Sequence, residues 1–501
     1  MMKLKKKGFT KTFKKTTASV LAASMMIVPV NVMADEATEM FGNTRRVAME
    51  QATAMMEMFS VPGVTIGFVD VDSGFTWTGG LGYADVEQGV AVTEDTLFSI
   101  GSTAKTFTAV AIMQLVEAGV LDLDEPIITY LPEFSMLPNP LHGGDYRNIT
   151  TRMLLNHTSG IHEYSGEYFA SDSFRLGYSD GQNREAMNNI FSVLPNLHMQ
   201  NQELNLQTYN NTGYILLGIL VARLTGAENY FDGFVEFTQE SIFHPSGMAS
   251  SSFEITPENR PYITLPYHDA ETAAEGFLYV GATPTGGMVS NAVDMARFMH
   301  IMLNGGVYGD DEETRILQAS SIDEMTAVED GMTIGLGIMY RHHASGAVSM
   351  GHAGGLQHHT DVLLDFENGI GVFVSVNSVS GMALPRLLGE AIWKAAVYEK
   401  TGVPVPLNPY RGTPFVPESL EELAGWYTTS GQLVYEDGVL VFPSFQGSSI
   451  DLELTPIGDG FFETMLGVLF FQTSGWCYVL VSCTKCATRG TVRANPCTRK
   501  L

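Results

Sequence analysis

Ser102 and Lys105 are the first pair of residues whose types and spacing could do chemistry. They stand three positions apart at the start of the apolar run "SIGSTAKTFTAVAIMQLVEAG". If this run is helical, the two side chains lie on one face, one turn apart. A serine hydroxyl becomes a nucleophile when a neighbouring base takes its proton, and a lysine with a pKa lowered by burial can be that base. A capping serine followed by a solvated lysine is the simpler alternative, and the pair alone does not decide between them.

Tyr209 and Asn211 form a second candidate pair, in "QTYNNTGYILLGILVARLTG", directly before another apolar run. Residues two apart in an extended segment point to the same side. A tyrosine with a depressed pKa can accept or relay a proton, and an asparagine can bridge a lysine and a substrate amide. The alternative is a turn followed by a helix cap, a position that Asn and Thr both suit.

The stretch His352-Ala353-Gly354-Gly355, in "SMGHAGGLQHHTDVLLDFENG", is the third candidate. Small residues on or beside a strand let a substrate backbone approach and leave N–H groups free. The N–H of Gly355 could pair with that of Ser102 as an oxyanion hole. A helix that begins at Ser102 would favour the same developing negative charge.

These three stretches need a fold that brings them together, and the periodicity of the chain predicts one. A helix precedes two strands joined by a turn at residues 72–74, and four strand-like stretches followed by a helix occupy residues 333–402. Helical and loop-like segments lie between these two parts. We therefore predict an α/β (α+β) fold: a mixed, mostly antiparallel sheet flanked by helices, with an inserted helical subdomain and a cleft between the two.

The first residues differ in composition from the rest of the chain. Seven lysines precede an apolar run that ends in a small residue at Ala34, which predicts a signal peptide over residues 1–34, with an uncleaved membrane anchor as the alternative. Because those seven lysines have no acidic partner before Ala34, their removal changes the net charge from −27 to −34. We expect a secreted or cell-surface protein, and a charge of this sign argues against a nucleic-acid partner.

The other end of the chain is predicted to form a separate unit. Residues 35–402 make the main domain, the proline-rich segment 403–418 is a linker, and short alternating runs over 419–501 indicate a small antiparallel β domain. All four cysteines lie in its basic tail, at Cys477, Cys483, Cys486 and Cys497. Disulfides are expected there, and a zinc site is the alternative. A third interpretation is that the basic tail, which differs in composition from the acidic body, is not native to this protein.

The chain resembles the serine β-lactamase-like and D-Ala-D-Ala peptidase superfamily over about residues 44–400, and its Tyr-x-Asn motif resembles the class C branch. The stretches "ITTRMLLNHTSGI", "IFHPSGMASSSF" and "PTGGMVSNAVDMARFM" are similar as well. Three motifs carry the resemblance in the family's order and spacing: Ser102-Thr103-Ala104-Lys105, Tyr209-Asn210-Asn211 and His352-Ala353-Gly354.

The resemblance implies a role for each of these residues. Ser102 would be the acylated nucleophile, and Lys105 and Tyr209 would share the base role in acylation. Tyr209, or a water molecule that it positions, would be important in deacylation. Asn211 would hold Lys105 and the substrate amide. The N–H groups of Ser102 and Gly355 would form the oxyanion hole, beside His352 and Gly354.

One departure from the family pattern bears on the substrate. β-Lactamases and penicillin-binding proteins usually carry Lys-Thr-Gly at the third motif, where the lysine helps hold a carboxylate, and this chain has His352-Ala353-Gly354. Histidine is mostly neutral near pH 7 unless its surroundings raise its pKa. We therefore expect an exported serine hydrolase acting through an acyl-enzyme on a peptide or ester, as a D-amino-acid peptidase or esterase. A β-lactamase or penicillin-binding protein, and a non-catalytic cell-wall-binding protein, are the alternatives.

No cofactor and no metal are expected. His352, His358 and His359 stand near Asp361, but strand alternation separates His358 from His359 and no further acidic cluster accompanies them. The expected partner is a small-molecule or peptide substrate, with a cell-wall peptide among the candidates, and the chain is expected to be a monomer.

Overall fold

The computed structural model describes residues 40–163, 187, 189–200, 206–274, 283–309, 314–329, 332–342 and 347–405. It also describes the backbone of eight strands between 425 and 498. The predicted signal peptide and nearly all of the predicted linker lie outside these residues. Among the described residues, no helix is both long enough and apolar enough to cross a membrane.

The main sheet has seven strands, and every neighbouring pair is antiparallel, in the order β3-β2-β1-β11-β10-β9-β8. This confirms the predicted mostly antiparallel sheet, built from both ends of the domain. The strands are β1 Gly63–Asp70, β2 Phe75–Asp85, β3 Val90–Ala91, β8 Met339–His342, β9 Val348–Gly355, β10 His359–Asp365 and β11 Ile370–Val376. Two small two-stranded sheets pair β4 Phe98–Ser99 with β7 Val289–Ser290, and β5 Tyr267–Asp269 with β6 Thr272–Ala273.

Ten α-helices flank or follow the strands in the described part of the chain. The predicted helices at the two ends of the domain are present, and the second of them is followed by Gly402, whose φ of 69° ends the helix. The helices are α1 Gly42–Phe59, α2 Ala104–Glu117, α3 Thr151–Leu155, α4 Ile190–Val193, α5 Asn211–Leu224, α6 Tyr230–Thr238, α7 Thr283–Gly286, α8 Ala292–Leu303, α9 Ala319–Thr326 and α10 Leu384–Thr401.

Side chains alternate between two hydrophobic cores on the two faces of the sheet. In β10, Leu363 packs into the core formed with α1 and α10, whereas Val362 and Leu364 pack into the core formed with α2, α5 and α8. This follows from the period of two along a strand. Helix α2 is buried on nearly all sides within the second core, so the residues at its start are held by rigid surroundings.

The predicted strand over residues 333–340 is wrong in most of its length. Strand β8 begins at Met339, and before it only Ile334 makes an isolated bridge, to Met339 itself. Gly337 explains the difference, because its φ of +74° turns the backbone out of the extended conformation.

The described strands of the C-terminal part form a separate sheet in which each strand pairs antiparallel with the next. This agrees with the predicted antiparallel β unit, while its boundary and the pairing of its cysteines stay predictions. The strands are β12 Gly425–Tyr427, β13 Gly431–Glu436, β14 Val439–Phe442, β15 Leu452–Gly458, β16 Phe461–Thr464, β17 Gly467–Gln472, β18 Gly475–Val479 and β19 Ala494–Thr498.

Candidate active site

Ser102 lies in a single 3₁₀ turn, Gly101–Thr103, which leads directly into α2. The turn is tied to the sheet because the Thr103 hydroxyl donates a hydrogen bond to the carbonyl oxygen of His352 at 3.3 Å. Gly101 has a φ of +52°, and a Cβ added there would lie 2.7 Å from the Gly355 nitrogen. Only glycine allows the turn and β9 to approach this closely.

Lys105 is fully buried one turn further along, and its ammonium donates three hydrogen bonds. The acceptors are Ser102 Oγ at 3.2 Å, Asn211 Oδ1 at 2.7 Å and the carbonyl oxygen of Thr285 at 2.6 Å. None of the three carries a charge. Burial lowers the pKa of Lys105 from 10.5 to about 7, although the charge of Glu163 partly opposes the shift.

The three contacts orient the lysine for proton transfer. The Asn211 and Thr285 oxygens can only accept, so they hold two N–H groups of Lys105 in either charge state. When the amine is neutral, its lone pair is therefore left to face the Ser102 hydroxyl. A base with a pKa near the working pH is the most effective kind.

Asn210 and Asn211 have different roles: Asn210 caps a helix and Asn211 contacts Lys105. Asn210 caps α5, because its side-chain oxygen accepts a hydrogen bond from the Gly213 N–H at 2.8 Å. The cap predicted as an alternative for this segment is thus real. It falls on Asn210, which leaves Asn211 free to contact Lys105.

Tyr209 lies beside Lys105, whose Nζ is 4.9 Å from the centre of the tyrosine ring. Its hydroxyl is buried and, among the described residues, forms no hydrogen bond of ordinary geometry. Burial raises the pKa of Tyr209, although the nearby Ser102 hydroxyl acts in the opposite direction. The pKa of Tyr209 is thus shifted upward while that of Lys105 is shifted downward, and the shared base role of the two residues stays a prediction.

His352 and Gly354 face the start of α2 from strand β9. The Nδ1–H of His352 donates to the carbonyl oxygen of Ala353 at 2.7 Å, so Nε2 is a buried acceptor that lacks a partner among the described groups. Burial, and then the charge of Lys105, lowers the pKa of His352 to about 3. The expected neutral state at pH 7 therefore agrees with the structure.

The backbone of Gly354 and Gly355 completes the arrangement. A Cβ added at Gly354 would lie 3.0 Å from the Ser102 nitrogen and would also collide with the carbonyl of Ile100. Together with the approach of Gly355 to Gly101, this places the amides of Ser102 and Gly355 on neighbouring segments. The structure thus brings all seven predicted site residues into one region.

Sequence reasoning missed Glu163 and Thr285. For His157, in the stretch "ITTRMLLNHTSGI", the resemblance implies a buried hydrogen-bonding residue, and the structure shows one. Glu163 accepts two hydrogen bonds from Asn211, and Thr285 contacts Lys105 through its backbone. The Nδ1 of His157 accepts a hydrogen bond from the Asn210 N–H at 2.9 Å, and the centre of its ring lies 4.5 Å from that of the Tyr209 ring, tilted by 31°. No spacing rule links these residues to the motifs, and three of the four hydrogen bonds involve a backbone atom.

His358, another histidine of this region, is held by a backbone group. Nδ1 of His358 accepts a hydrogen bond from the Ser99 N–H at 3.0 Å. Within the described residues there is no group of three or more His, Cys, Asp or Glu side chains placed to hold an ion.

The fold and the Ser-Lys-Tyr-Asn arrangement define a class of proteins, the serine hydrolases with a β-lactamase fold. The beta-lactamase family model matches residues 51–397, so the chain belongs to that family. The serine beta-lactamase-like protein LACTB of Bos taurus mitochondria is 47% identical over 103 residues, which are 21% of this chain and 18% of that protein. The match thus spans less than a fifth of that relative's length.

Other relatives match over longer stretches. Penicillin-binding protein 4 of Amycolatopsis lactamdurans is 30% identical over 54% of this chain and 67% of its own length. Esterase EstB of Burkholderia gladioli is 33% identical over 38% of this chain and 46% of its own length.

Solved structures show the same fold. The octameric penicillin-binding protein homologue from Pyrococcus abyssi has a TM-score of 0.58 and 21% identity, covering 91% of this chain and 99% of that one. The D-amino acid amidase from Ochrobactrum anthropi SV3 has a TM-score of 0.56 and 24% identity, covering 70% of this chain and 98% of that one.

Proposed function

We propose that the protein hydrolyses a peptide or ester bond through an acyl-enzyme formed on Ser102. The observation that carries this proposal is the environment of Lys105 Nζ, which contacts Ser102 Oγ while two neutral oxygens hold its other positions. A lysine kept near half-protonation next to a serine hydroxyl is arranged for base catalysis.

Acylation begins with neutral Lys105. Its lone pair takes the proton of Ser102 as Oγ attacks the carbonyl carbon of the substrate, and the carbonyl electrons move onto oxygen. The amides of Ser102 and Gly355 are the proposed donors to that oxyanion. The intermediate collapses to the acyl-enzyme when the bond to the leaving amine or alkoxide breaks.

Tyr209 suits the role of proton donor to the leaving group. Because burial raises its pKa, the hydroxyl keeps its proton at neutral pH and can hand it to a leaving nitrogen or oxygen while Lys105 replaces it. In deacylation a water molecule attacks the acyl carbonyl carbon and gives a proton to neutral Lys105 by way of Tyr209. The bond to Ser102 Oγ then breaks, Oγ takes the proton back from Lys105, and the acid leaves. The proton transfers belong to the coupled Lys105–Tyr209 pair.

For the substrate, we propose a D-amino-acid peptide or amide, or an ester, before a β-lactam. His352 offers a neutral acceptor at the position where β-lactamases usually place a lysine. A buried neutral acceptor pairs with an N–H or O–H of the substrate more readily than with a carboxylate. The names of the amidase and the esterase among the similar proteins support this choice. The penicillin-binding names keep a β-lactam or cell-wall peptide as the second candidate.

We also propose that the protein is exported, acts as a monomer and meets cell-wall peptides as a natural substrate. The lysine-rich start followed by an apolar run supports export. N-terminal sequencing of the protein recovered from the culture medium would test it, with cleavage after Ala34 as the expected result.

Intact-mass measurement tests the enzymatic proposal. Wild type and Ser102→Ala are incubated separately with benzylpenicillin, a p-nitrophenyl ester and a D-alanyl amide. We expect ester or amide turnover and a transient adduct on wild type alone. A penicillin adduct that persists would favour the penicillin-binding alternative, and penicillin consumption a β-lactamase. Equal adduct formation on Ser102→Ala would contradict Ser102 as the nucleophile.

A further inference from the structure

Glu163 makes two hydrogen bonds to a single residue of the site. One carboxylate oxygen accepts from the Asn211 backbone N–H at 2.6 Å, and the other accepts from the Asn211 side-chain Nδ2 at 2.8 Å. Both bonds are charge-assisted, which makes them stronger than bonds between neutral groups. Glu163 follows the segment that also fixes the neighbouring residue, because the Ile161 carbonyl accepts from Asn210 Nδ2 at 3.0 Å.

These bonds decide which end of the Asn211 amide faces Lys105. An asparagine amide has an acceptor end and a donor end of nearly equal size. The carboxylate of Glu163 can only accept, so it takes the donor end and turns Oδ1 toward Lys105, which it meets at 2.7 Å. With the amide reversed, Nδ2 would face Lys105, and the lone pair of the lysine would turn to Asn211 and away from Ser102.

Glu163 also acts on the charge of Lys105. Among the described residues, the titratable groups that face this lysine are Tyr209 and Tyr214 from the α5 segment, His157 and Glu163 from the segment after α3, and His352 from β9. Glu163 is the carboxylate among them, and its charge raises the pKa of Lys105 against the larger lowering by burial.

We propose that Glu163 is a positioning residue for acyl transfer: it holds the Asn211 amide in the orientation that directs the Lys105 lone pair to Ser102. This inference rests on the proposed function of Ser102 and Lys105. Glu163 acts through Asn211, and it does not need to touch the substrate.

A small alkyl fluorophosphonate is the probe, because it reports the nucleophilicity of the serine without requiring the natural substrate. Ser102 Oγ attacks phosphorus, the P–F bond breaks, fluoride leaves, and Lys105 takes the serine proton. The rate of the single mass increase is measured across pH for the full-length protein, with Ser102→Ala as the blank.

Glu163→Gln should slow labelling by about ten- to hundredfold on the high-pH plateau, the size expected for losing a charge-assisted hydrogen bond. The glutamine side chain has one oxygen to accept from the backbone N–H and Nδ2 of Asn211. Its own NH₂ group can donate to Asn211 Oδ1, which favours the reversed orientation of the Asn211 amide. The acid limb of the rate should also move to lower pH, because the charge that supports protonated Lys105 is gone. Glu163→Asp should slow the plateau and leave the acid limb in place, since it keeps the charge and changes the reach.

Two controls separate positioning from other effects. His162→Gln changes the neighbouring side chain of the same segment and should label like wild type. In the Asn211→Ala protein, Glu163→Gln should slow the plateau rate of labelling by less than about a further twofold, because Glu163 acts on this rate through Asn211. Thermal unfolding checks that each variant is folded.

The outcomes separate this inference from the proposed function. If wild type and Ser102→Ala are both unlabelled, the proposed function fails and this inference fails with it. If wild type is labelled on Ser102 and Glu163→Gln labels equally fast with an unmoved acid limb, the positioning role alone is overturned. It is also overturned if Glu163→Gln slows the Asn211→Ala protein by its full factor, since Glu163 would then act by another route.

Discussion

Lys105 and Lys400 lie in the same folded unit, but their surroundings shift their pKa values in opposite directions. Lys105 is fully buried against three neutral oxygens, and its pKa falls to about 7. Lys400, near the end of α10, contacts Asp70, Asp72 and the carbonyl oxygen of Asn368. Partial burial disfavours its charge, but the hydrogen bonds to the two carboxylates outweigh this and raise its pKa.

The difference shows that the contacting groups, and not burial alone, decide what a lysine can do. Carboxylates at Lys400 fix a permanent ammonium that ties α10 to the turn after β1. Neutral acceptors at Lys105 satisfy its hydrogen bonds and leave the charge optional. A fold can thus use one side-chain type as a structural tie and as a base.

Replacing each lysine by methionine should give the largest contrast in activity. Lys105→Met removes the base and should lower the rate of Ser102 labelling by about 10²- to 10⁴-fold, the usual contribution of general base catalysis. Lys400→Met should label within about twofold of wild type. Fluorophosphonate labelling followed by mass spectrometry measures both. A Lys105→Met protein that labels at the wild-type rate would show that another group takes the serine proton.

Two buried histidines, His352 and His358, should make the stability of the protein depend on pH on the acidic side. His352 and His358 both have their pKa lowered from 6.5 to about 3, by burial first. Between these values the unfolded chain binds more protons than the folded one, so stability is lost as pH falls below about 6.5. At about pH 5 each histidine should cost roughly 2 kcal/mol.

Urea unfolding at about pH 7.5 and pH 5 measures this loss. His358→Gln keeps an acceptor for the Ser99 N–H and should lose about 2 kcal/mol less than wild type between the two pH values. Equal losses in wild type and His358→Gln would contradict the assignment.

Lys105 should affect stability on the alkaline side. Its pKa is about 7 when folded and 10.5 when unfolded, so the unfolded chain binds the extra proton between these values. The unfolding free energy of wild type should therefore rise relative to that of Lys105→Met as pH increases above about 7. From about pH 7 to pH 9 the gain should be on the order of 2–3 kcal/mol. If the difference in unfolding free energy between the two proteins did not change with pH, a lowered pKa of Lys105 would be excluded.

Lys400→Met should produce the smallest effect, a loss of about 1–2 kcal/mol at neutral pH, since the side chain is partly exposed. The raised pKa means that this stabilisation is present below the unfolded pKa of 10.5 and is lost as pH rises through the folded value. Urea unfolding at about pH 7 measures it. An unchanged unfolding free energy would mean that the contacts of Lys400 with Asp70 and Asp72 contribute nothing net.

The sequence was most informative where a residue's own neighbours set the geometry. The spacing of Ser102 and Lys105 predicted their contact, although the helix begins at Ala104 and Ser102 lies in the 3₁₀ turn before it. The strand-like stretches at both ends of the domain predicted the sheet. The position of Asn211 was predictable in the same way, two residues after Tyr209.

Contacts across the fold were not predictable from local spacing. Glu163 reaches Asn211 over a separation of 48 residues, and the Thr285 carbonyl reaches Lys105 over 180. Tyr209 illustrates a second limit. Its type suggested a base, but its pKa depends on burial among groups that tertiary packing brings together, and that packing raised it.

Strand β9 alternates between two environments, with His352 and Gly354 buried and Ala353 and Gly355 exposed. Its register is set by the pairing of His352 with Val362 in β10. Inserting or deleting one residue upstream in β9 would exchange the faces of His352 and Ala353 while leaving the amino-acid composition of the motif intact. Length changes in this strand should therefore be far less tolerated than substitutions at its exposed positions. A library of single-codon insertions and deletions, screened for labelling of Ser102, should contain few labelled variants whose length change lies in β9.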